Sequence, residues 1–334
     1  MLNVEQHNKF SNIWRNIVFC FVLSLFVVAG FLFSKYKSLE AVSVVEVEQI
    51  KQSDDLIQQG AGDVIVSKPT VNLKLPELVA QLPQPQQYTA DRVIVKDVET
   101  GIVLYAKDAY KEWPLASMTK LMTAIVLREK PVDMGELATV VDQDLIGTHM
   151  YAGDVYSRDE LWKAMLIGSI NEAAVTLVQD IWGSQEAFVK RMNEKSLELG
   201  MIDTAFFEPT GLDSRNVSTP SDVAILLSET LSDEVIAKTL QTQELDLFSK
   251  QREKKNHIWN TNWILLGWIP SQIEIVAGKT GFINQSLYNF TGRFKGDDGR
   301  LVDVVIMGAD THEARFTEAL DIVADSLDAY TWPQ

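Results

Sequence analysis

The sequence predicts an α+β fold: an antiparallel sheet built from both ends of the folded body, with a helical cluster inserted between them. Three observations carry this. Arg92 to Val98 and Ile102 to Tyr105 are β-rich runs joined by Glu99-Thr100-Gly101, a hairpin signal. Leu287 to Phe294 and Leu301 to Met307 form a second such pair around Gly296-Asp297-Asp298-Gly299. The stretch between the pairs carries helix caps rather than strand patterning. Strands at both ends with helices between them is not the alternating order of a βαβ chain.

Each element has local grounds. Ser117 to Glu129 is helix-like. Ser157-Arg158-Asp159-Glu160 is a capping box, and the helix it opens places Leu161, Ala164 and Met165 on one side. Ser184 to Leu199 is helix-like and stops at Gly200. Thr219-Pro220-Ser221-Asp222 offers an N-cap with proline at the first helical position. Ile273 to Val276 is a short apolar run leading into Gly278, and Glu313 to Ala329 reads as a closing helix.

Ahead of the body, Ile17 to Phe33 holds no charged residue, with Lys9 and Arg15 before it and Lys35 and Lys37 after. At about 1.5 Å per helical residue the run nearly crosses a hydrocarbon core. A buried helix of the body would show a polar face, and a cleaved leader would end in an A-x-A-like site, which does not follow the run. The reading adopted is an uncleaved transmembrane anchor over residues 17–36, preceded by a short cytoplasmic N-terminus, 1–16. Residues 37–87, polar and proline-containing, read as a stalk, and residues 88–334 as the functional domain.

Composition narrows the function. Across 334 residues the hydrophobic share is 46%, enough for a packed core, and the formal net charge is -16, which gives no general attraction for nucleic acid. Cys20, the only cysteine, lies in the apolar run, so no disulfide or cysteine zinc site is available. The four histidines form no H-E-x-x-H, and neither a G-x-G-x-x-G nor a P-loop occurs.

A three-part constellation carries the chemistry. Ser117-Met118-Thr119-Lys120 opens a helix, so the lysine amine lies one turn from the hydroxyl. A serine hydroxyl needs a base, and a lysine of ordinary pKa, about 10.4, cannot serve until burial or a second cation lowers it. Ser169-Ile170-Asn171 offers a hydroxyl to relay a proton and an amide to hold Lys120. Lys279-Thr280-Gly281, on a strand, adds a cation to lower the pKa of Lys120 and attract a carboxylate. Its threonine adds a hydroxyl for that carboxylate, and its glycine lets substrate lie along the strand edge. One match alone is weak: Ser34-Lys35-Tyr36-Lys37 also fits S-x-x-K, and Ser214-Arg215-Asn216 fits S-x-N. The order of the three is the signal.

These motifs resemble those of penicillin-binding proteins and serine β-lactamases, and so imply a β-lactamase/transpeptidase-like fold. Pro209-Thr210-Gly211-Leu212, Ser218-Thr219-Pro220-Ser221-Asp222 and Asn260-Thr261-Asn262 narrow the resemblance to the low-molecular-weight D-alanyl-D-alanine carboxypeptidases. The resemblance implies a serine D,D-peptidase acting on peptidoglycan stem peptides on the extracytoplasmic side of a bacterial cytoplasmic membrane. Ser117 is then the nucleophile, Lys120, Ser169 and Asn171 the catalytic partners, and Lys279, Thr280, Gly281 and Phe282 the substrate-binding set. β-Lactams are implied as covalent inhibitors. The oxyanion is held by the N–H groups of Ser117 and Phe282, and no metal or cofactor is implied.

Alternatives are an endopeptidase cutting cross-links, a β-lactamase with Glu208 as deacylating base, and a catalytically weak wall-binding scaffold. The chain departs from the family pattern at Ile283, where the family often carries a hydroxyl, and at Ile170 and Asp310. Arg315 reads as a surface arginine of the last helix, with a cation facing substrate as the alternative.

Overall fold

The computed structural model describes residues 75–141 and 150–332. The proposed anchor and most of the stalk lie outside these residues. Among the described residues no helix is long and apolar enough to cross a membrane.

The first part of the body runs β1 (Glu77–Leu78), β2 (Arg92–Asp97), β3 (Val103–Lys107), β4 (Trp113–Pro114) and α1 (Thr119–Arg128). Then come β5 (Leu137–Thr139), β6 (Val155–Ser157), α2 (Arg158–Ile167), α3 (Asn171–Trp182) and α4 (Gln185–Glu198). β7 (Val217–Ser218), α5 (Pro220–Ser232), α6 (Glu234–Leu240), β8 (Glu244–Ser249) and β9 (Lys254–Trp259) follow. The chain closes with β10 (Glu274–Ile283), β11 (Leu287–Lys295), β12 (Leu301–Ala309), α7 (Ala314–Ala329) and β13 (Tyr330–Thr331).

The sheet closes from both ends as expected. Its order is β10-β11-β12-β2-β3, every pair antiparallel, with Val305 beside Ile94 where the N-terminal hairpin joins the C-terminal one. Both faces are covered, and the two-residue period of a strand sorts side chains between two cores. Val93, Val95, Val302, Val304 and Ile306 pack with Phe316, Ile322 and Val323 of α7. Ile94, Val305 and Met307 pack on the other side with Leu121, Met165 and Leu177 of α1, α2 and α3. α1 is buried along Thr119–Leu127.

The caps read from sequence form. Ser157 and Glu160 make a reciprocal capping box, and Thr219 caps α5 ahead of Pro220. Two features differ from expectation. The inserted region also holds two-stranded ribbons, β5–β6 and β8–β9, and β4 pairs with β7. The body also takes up the chain before Tyr88. β1 pairs with β13, the N–H groups of Val79 and Ala80 donate to Ala329 O, and Glu318 accepts from Thr89 and Ala90.

Candidate active site

Three segments converge on one turn. Ala116–Met118 is a 3-10 turn leading into α1, and Ala116 holds a left-handed φ of 48°. The turn is pinned from both sides. Leu115 N donates to Asn216 O at 2.8 Å, and Asn289 Nδ2 on β11 donates to Pro114 O at 2.9 Å. Ser117 is half-buried at the centre of the turn.

One turn on, Lys120 is fully buried, and its Nζ contacts three oxygens: Ser117 Oγ at 3.0 Å, Asn171 Oδ1 at 2.7 Å and Thr210 O at 2.7 Å. The two carbonyl oxygens are acceptors only. A neutral amine keeps two hydrogens for them and turns its lone pair toward the Ser117 hydroxyl. Burial lowers the Lys120 pKa from its ordinary value to about 7, while the charges of Glu208 and Glu172 push the other way. Burial is thus the largest cause at Lys120. Lys279 also lies well below its ordinary value, through burial first and then the charges of Lys120 and Arg315.

Ser169 sits between α2 and α3 with a φ of 58°, and Asn171 begins α3. Ser169 Oγ accepts from Lys279 Nζ at 2.8 Å, which joins the second segment to the third. Ile170, the departure in S-x-N, is 4% exposed and packs in the helical core. Thr280 Oγ1 donates to Thr261 Oγ1 at 2.6 Å. Phe282 is 44% exposed and stacks on Tyr288 at 4.4 Å.

Gly281 was expected to leave room for substrate. A Cβ there would instead lie 2.7 Å from Leu115 O and 3.2 Å from Ala116 Cβ, so its missing side chain lets β10 press against the nucleophile turn. Gly211 does the same from the opposite segment. Its φ is 90°, and a Cβ would fall 1.8 Å from Ala116 O.

Glu208 belongs to that opposite loop. Its carboxylate accepts from Thr210 N at 2.7 Å, Thr210 Oγ1 at 2.6 Å, Asn216 Nδ2 at 3.1 Å and Gly211 N. It thus folds the loop that presents Thr210 O to Lys120, and is not available as a free base.

A cleft of about 450 Å³ opens over Ser117, lined by Ser169, Thr261, Trp263, Thr280 and Arg315 among others. Arg315 is a correction to the sequence reading, being 3% exposed and not a surface residue. It donates to Gly281 O at 3.3 Å and to His312 Nε2 at 2.7 Å, and lies over the Phe316 ring. Among the described residues it makes no salt bridge. Burial lowers its pKa to about 10, and burial with the Arg315 charge lowers His312 to about 4, so His312 is a neutral acceptor. Trp263, Tyr288, His312 and the carbonyl of Thr210 were not read from the sequence. The N-T-N segment signalled Thr261, while nothing local marks the others.

A family model for D-alanyl-D-alanine carboxypeptidase matches residues 79–311. The chain is 31% identical over 259 residues to D-alanyl-D-alanine carboxypeptidase DacF of Bacillus subtilis, covering 73% of this chain and 64% of that one. It is 32% identical over 214 residues to a D-alanyl-D-alanine endopeptidase of Pseudomonas aeruginosa, covering 62% and 67%. The chain thus spans about two thirds of the length of these curated relatives. Among solved structures, it is similar to penicillin-binding protein D2 of Listeria monocytogenes in its cefotaxime-bound form. The TM-score is 0.62 at 28% identity, over 72% of this chain and 98% of that one. The Streptomyces K15 DD-transpeptidase shares the fold, with a TM-score of 0.66 at 21% identity over 75% of this chain and all of that one. The motif order, the way three segments close on one serine, and a match running through nearly the whole folded body lead to one assignment: the chain belongs to the D-alanyl-D-alanine carboxypeptidase family.

Proposed function

We propose that this chain is a serine D,D-carboxypeptidase that hydrolyses the terminal D-Ala-D-Ala bond of peptidoglycan stem peptides and is acylated by β-lactams at Ser117. It works on the extracytoplasmic side of a bacterial cytoplasmic membrane, held by the apolar segment at residues 17–36. The observation that carries the reading is the Lys120 amine, buried and tied to two carbonyl oxygens, with its third position on Ser117 Oγ.

The steps follow from that arrangement. Ser117 Oγ bonds to the carbonyl carbon of the penultimate D-alanine as its proton passes to Lys120 Nζ. The carbonyl oxygen becomes an oxyanion at the N–H groups of Ser117 and Phe282. The C–N bond breaks as the leaving nitrogen takes a proton by way of Ser169, whose hydroxyl is held by Lys279. Terminal D-alanine departs, water attacks the ester, and Ser117 recovers its proton. The terminal carboxylate sits toward Thr280 and Arg315, where a buried cation without a carboxylate partner replaces the hydroxyl missing at Ile283. The locked carboxylate of Glu208 favours slow deacylation of penicillins over a β-lactamase reading.

The endopeptidase reading keeps the same machinery, and the Pseudomonas relative bears that name. Incubating the full chain with a stem pentapeptide and with a cross-linked dimer, then measuring masses, separates the two. Loss of one alanine from the pentapeptide is expected. Cleavage of the dimer alone assigns the endopeptidase. Intact substrates, together with no penicillin adduct on Ser117, would overturn the proposal.

A further inference from the structure

The aromatic surface does not stop at the cleft. Trp263 in the cleft wall meets His312 on its inner side at 4.0 Å and Trp268 on its outer side at 5.6 Å. Trp268 meets Trp259 at 5.7 Å, and Trp259 meets His257 at 4.5 Å. Trp259 and Trp268 remain 47% and 50% exposed. Indoles hold large apolar faces that folding ordinarily covers, so two neighbouring exposed ones, continuous with a binding cleft, mark a contact surface.

The ribbon that carries Trp259 shows which face is free. Leu247, Ser249 and Ile258 point into the body and are at most 3% exposed. The opposite face pairs Glu244 with Trp259 and Asp246 with His257 across the strands. His257 Nδ1 lies 2.8 Å from Asp246 Oδ1, and Lys255 is engaged by the same carboxylate at 2.8 Å. The indole faces are thus edged by polar groups whose charges are paired with one another, Asp246 with Lys255 and Glu244 beside His257. Such a face offers no unpaired cation to a stem-peptide carboxylate or to an anionic lipid surface. A neutral sugar chain, attached to the peptide that the adjoining cleft holds, needs none. Its pyranose rings offer apolar C–H faces to the indoles and a rim of hydroxyl and acetamido groups to the carboxylates.

We propose that Trp259 and Trp268, continuing from Trp263, form a track that seats the glycan strand, a β-1,4-linked N-acetylhexosamine chain, whose stem peptide occupies the cleft. The proposal deepens the D,D-peptidase reading and rests on it.

The test compares the full chain with a W259A/W268A variant on two substrates, the free stem pentapeptide and the same peptide attached to a short glycan strand. Turnover of the free peptide is expected to stay within about twofold. kcat/KM on the glycan-linked peptide should fall roughly tenfold, equivalent to about 1.4 kcal/mol, and W259F/W268F should recover much of it. Equal loss on both substrates, or no loss on either, overturns the track. A second measurement avoids turnover. Chitotetraose at millimolar concentration, added to enzyme acylated at Ser117 by benzylpenicillin, should change the tryptophan fluorescence of the parent and not of W259A/W268A. No change in the parent overturns the proposal. So does quenching of these indoles by spin-labelled phosphatidylglycerol vesicles with no response to the sugar. If neither peptide is processed but chitotetraose still binds, the peptidase reading fails and the sugar track stands.

Discussion

Acylation of Ser117 by a labelled penicillin should rise with pH along a limb centred near 7, because Lys120 must shed its proton before it can accept one. Burial brings that amine from 10.5 to about 7. At pH 7 an ordinary lysine is neutral in about one molecule in three thousand, whereas this one is neutral in about half, a gain on the order of a thousandfold. The sign follows from the lowered value: the reactive neutral form is present above the midpoint and lost as pH falls through it. Glu208 and Glu172 raise the value, so neither is the cause. Lys279→Met separates burial from the charge of Lys279, since methionine keeps an apolar side chain of similar length. With burial as the largest cause, the limb stays well below about 10, while the rate drops because Ser169 loses its partner. Lys120→Met should lose roughly a hundredfold to ten-thousandfold in rate, the usual worth of a general base. Timed labelling with fluorescent penicillin across pH 5 to 10, from roughly two units below the expected midpoint to three above it, reads all three proteins. A wild-type limb near 10, or a Lys279→Met limb that climbs toward 10, would refute the reasoning.

Three further outcomes are expected. Gly211→Ala sets a Cβ against Ala116 O at a left-handed φ. It should cost about 3 kcal/mol or more and abolish labelling, read by thermal melting and by penicillin binding. Arg315→Ala should lower kcat/KM on a free-carboxylate pentapeptide roughly 10- to 100-fold, the scale of a lost charged hydrogen bond. It should leave the slow turnover of the C-terminal amide unchanged, and equal losses on acid and amide would remove Arg315 from carboxylate binding. Glu208→Gln removes a charge that raises the Lys120 pKa, so the acylation limb should move to lower pH in the same labelling series. A limb that moves upward would contradict the assignment.

What the sequence shows and what it hides divide along physical lines. Hairpins and caps are local, so the β2–β3 and β11–β12 pairs and the Ser157 and Thr219 caps could be read directly. The ribbon β8–β9 was missed because only one of its faces is buried, and its other face carries Glu244, Asp246, Lys255 and His257, residues that look like loop. Arg315 was misplaced for a different reason. An arginine in the first turn of an amphipathic helix gives no local sign of burial, and only the packing of α7 against β11 and β12 brings it to Gly281 O on β10. The charges of the site were half legible. That Lys120 must be unusual follows from the chemistry, but the largest cause is burial, which no spacing of residues encodes.

The two glycines show how the site is held together. In the sequence Gly211 and Gly281 stand 70 residues apart (281 less 211) in unrelated motifs, each explicable by itself. In the structure both remove a side chain from the same place, the backbone of Leu115 to Met118, one from each side. The turn they clasp carries Ala116 in a left-handed conformation, which is costly for a residue with a Cβ and persists only where neighbours enforce it. The clasp sets the height of Ser117 above Lys120, and the Gly211 loop delivers Thr210 O to that same amine. Positioning the nucleophile and fixing two of the amine's three contacts are therefore one mechanical device. A substitution at either glycine should disturb the base as well as the nucleophile, even though neither has a side chain to offer the reaction.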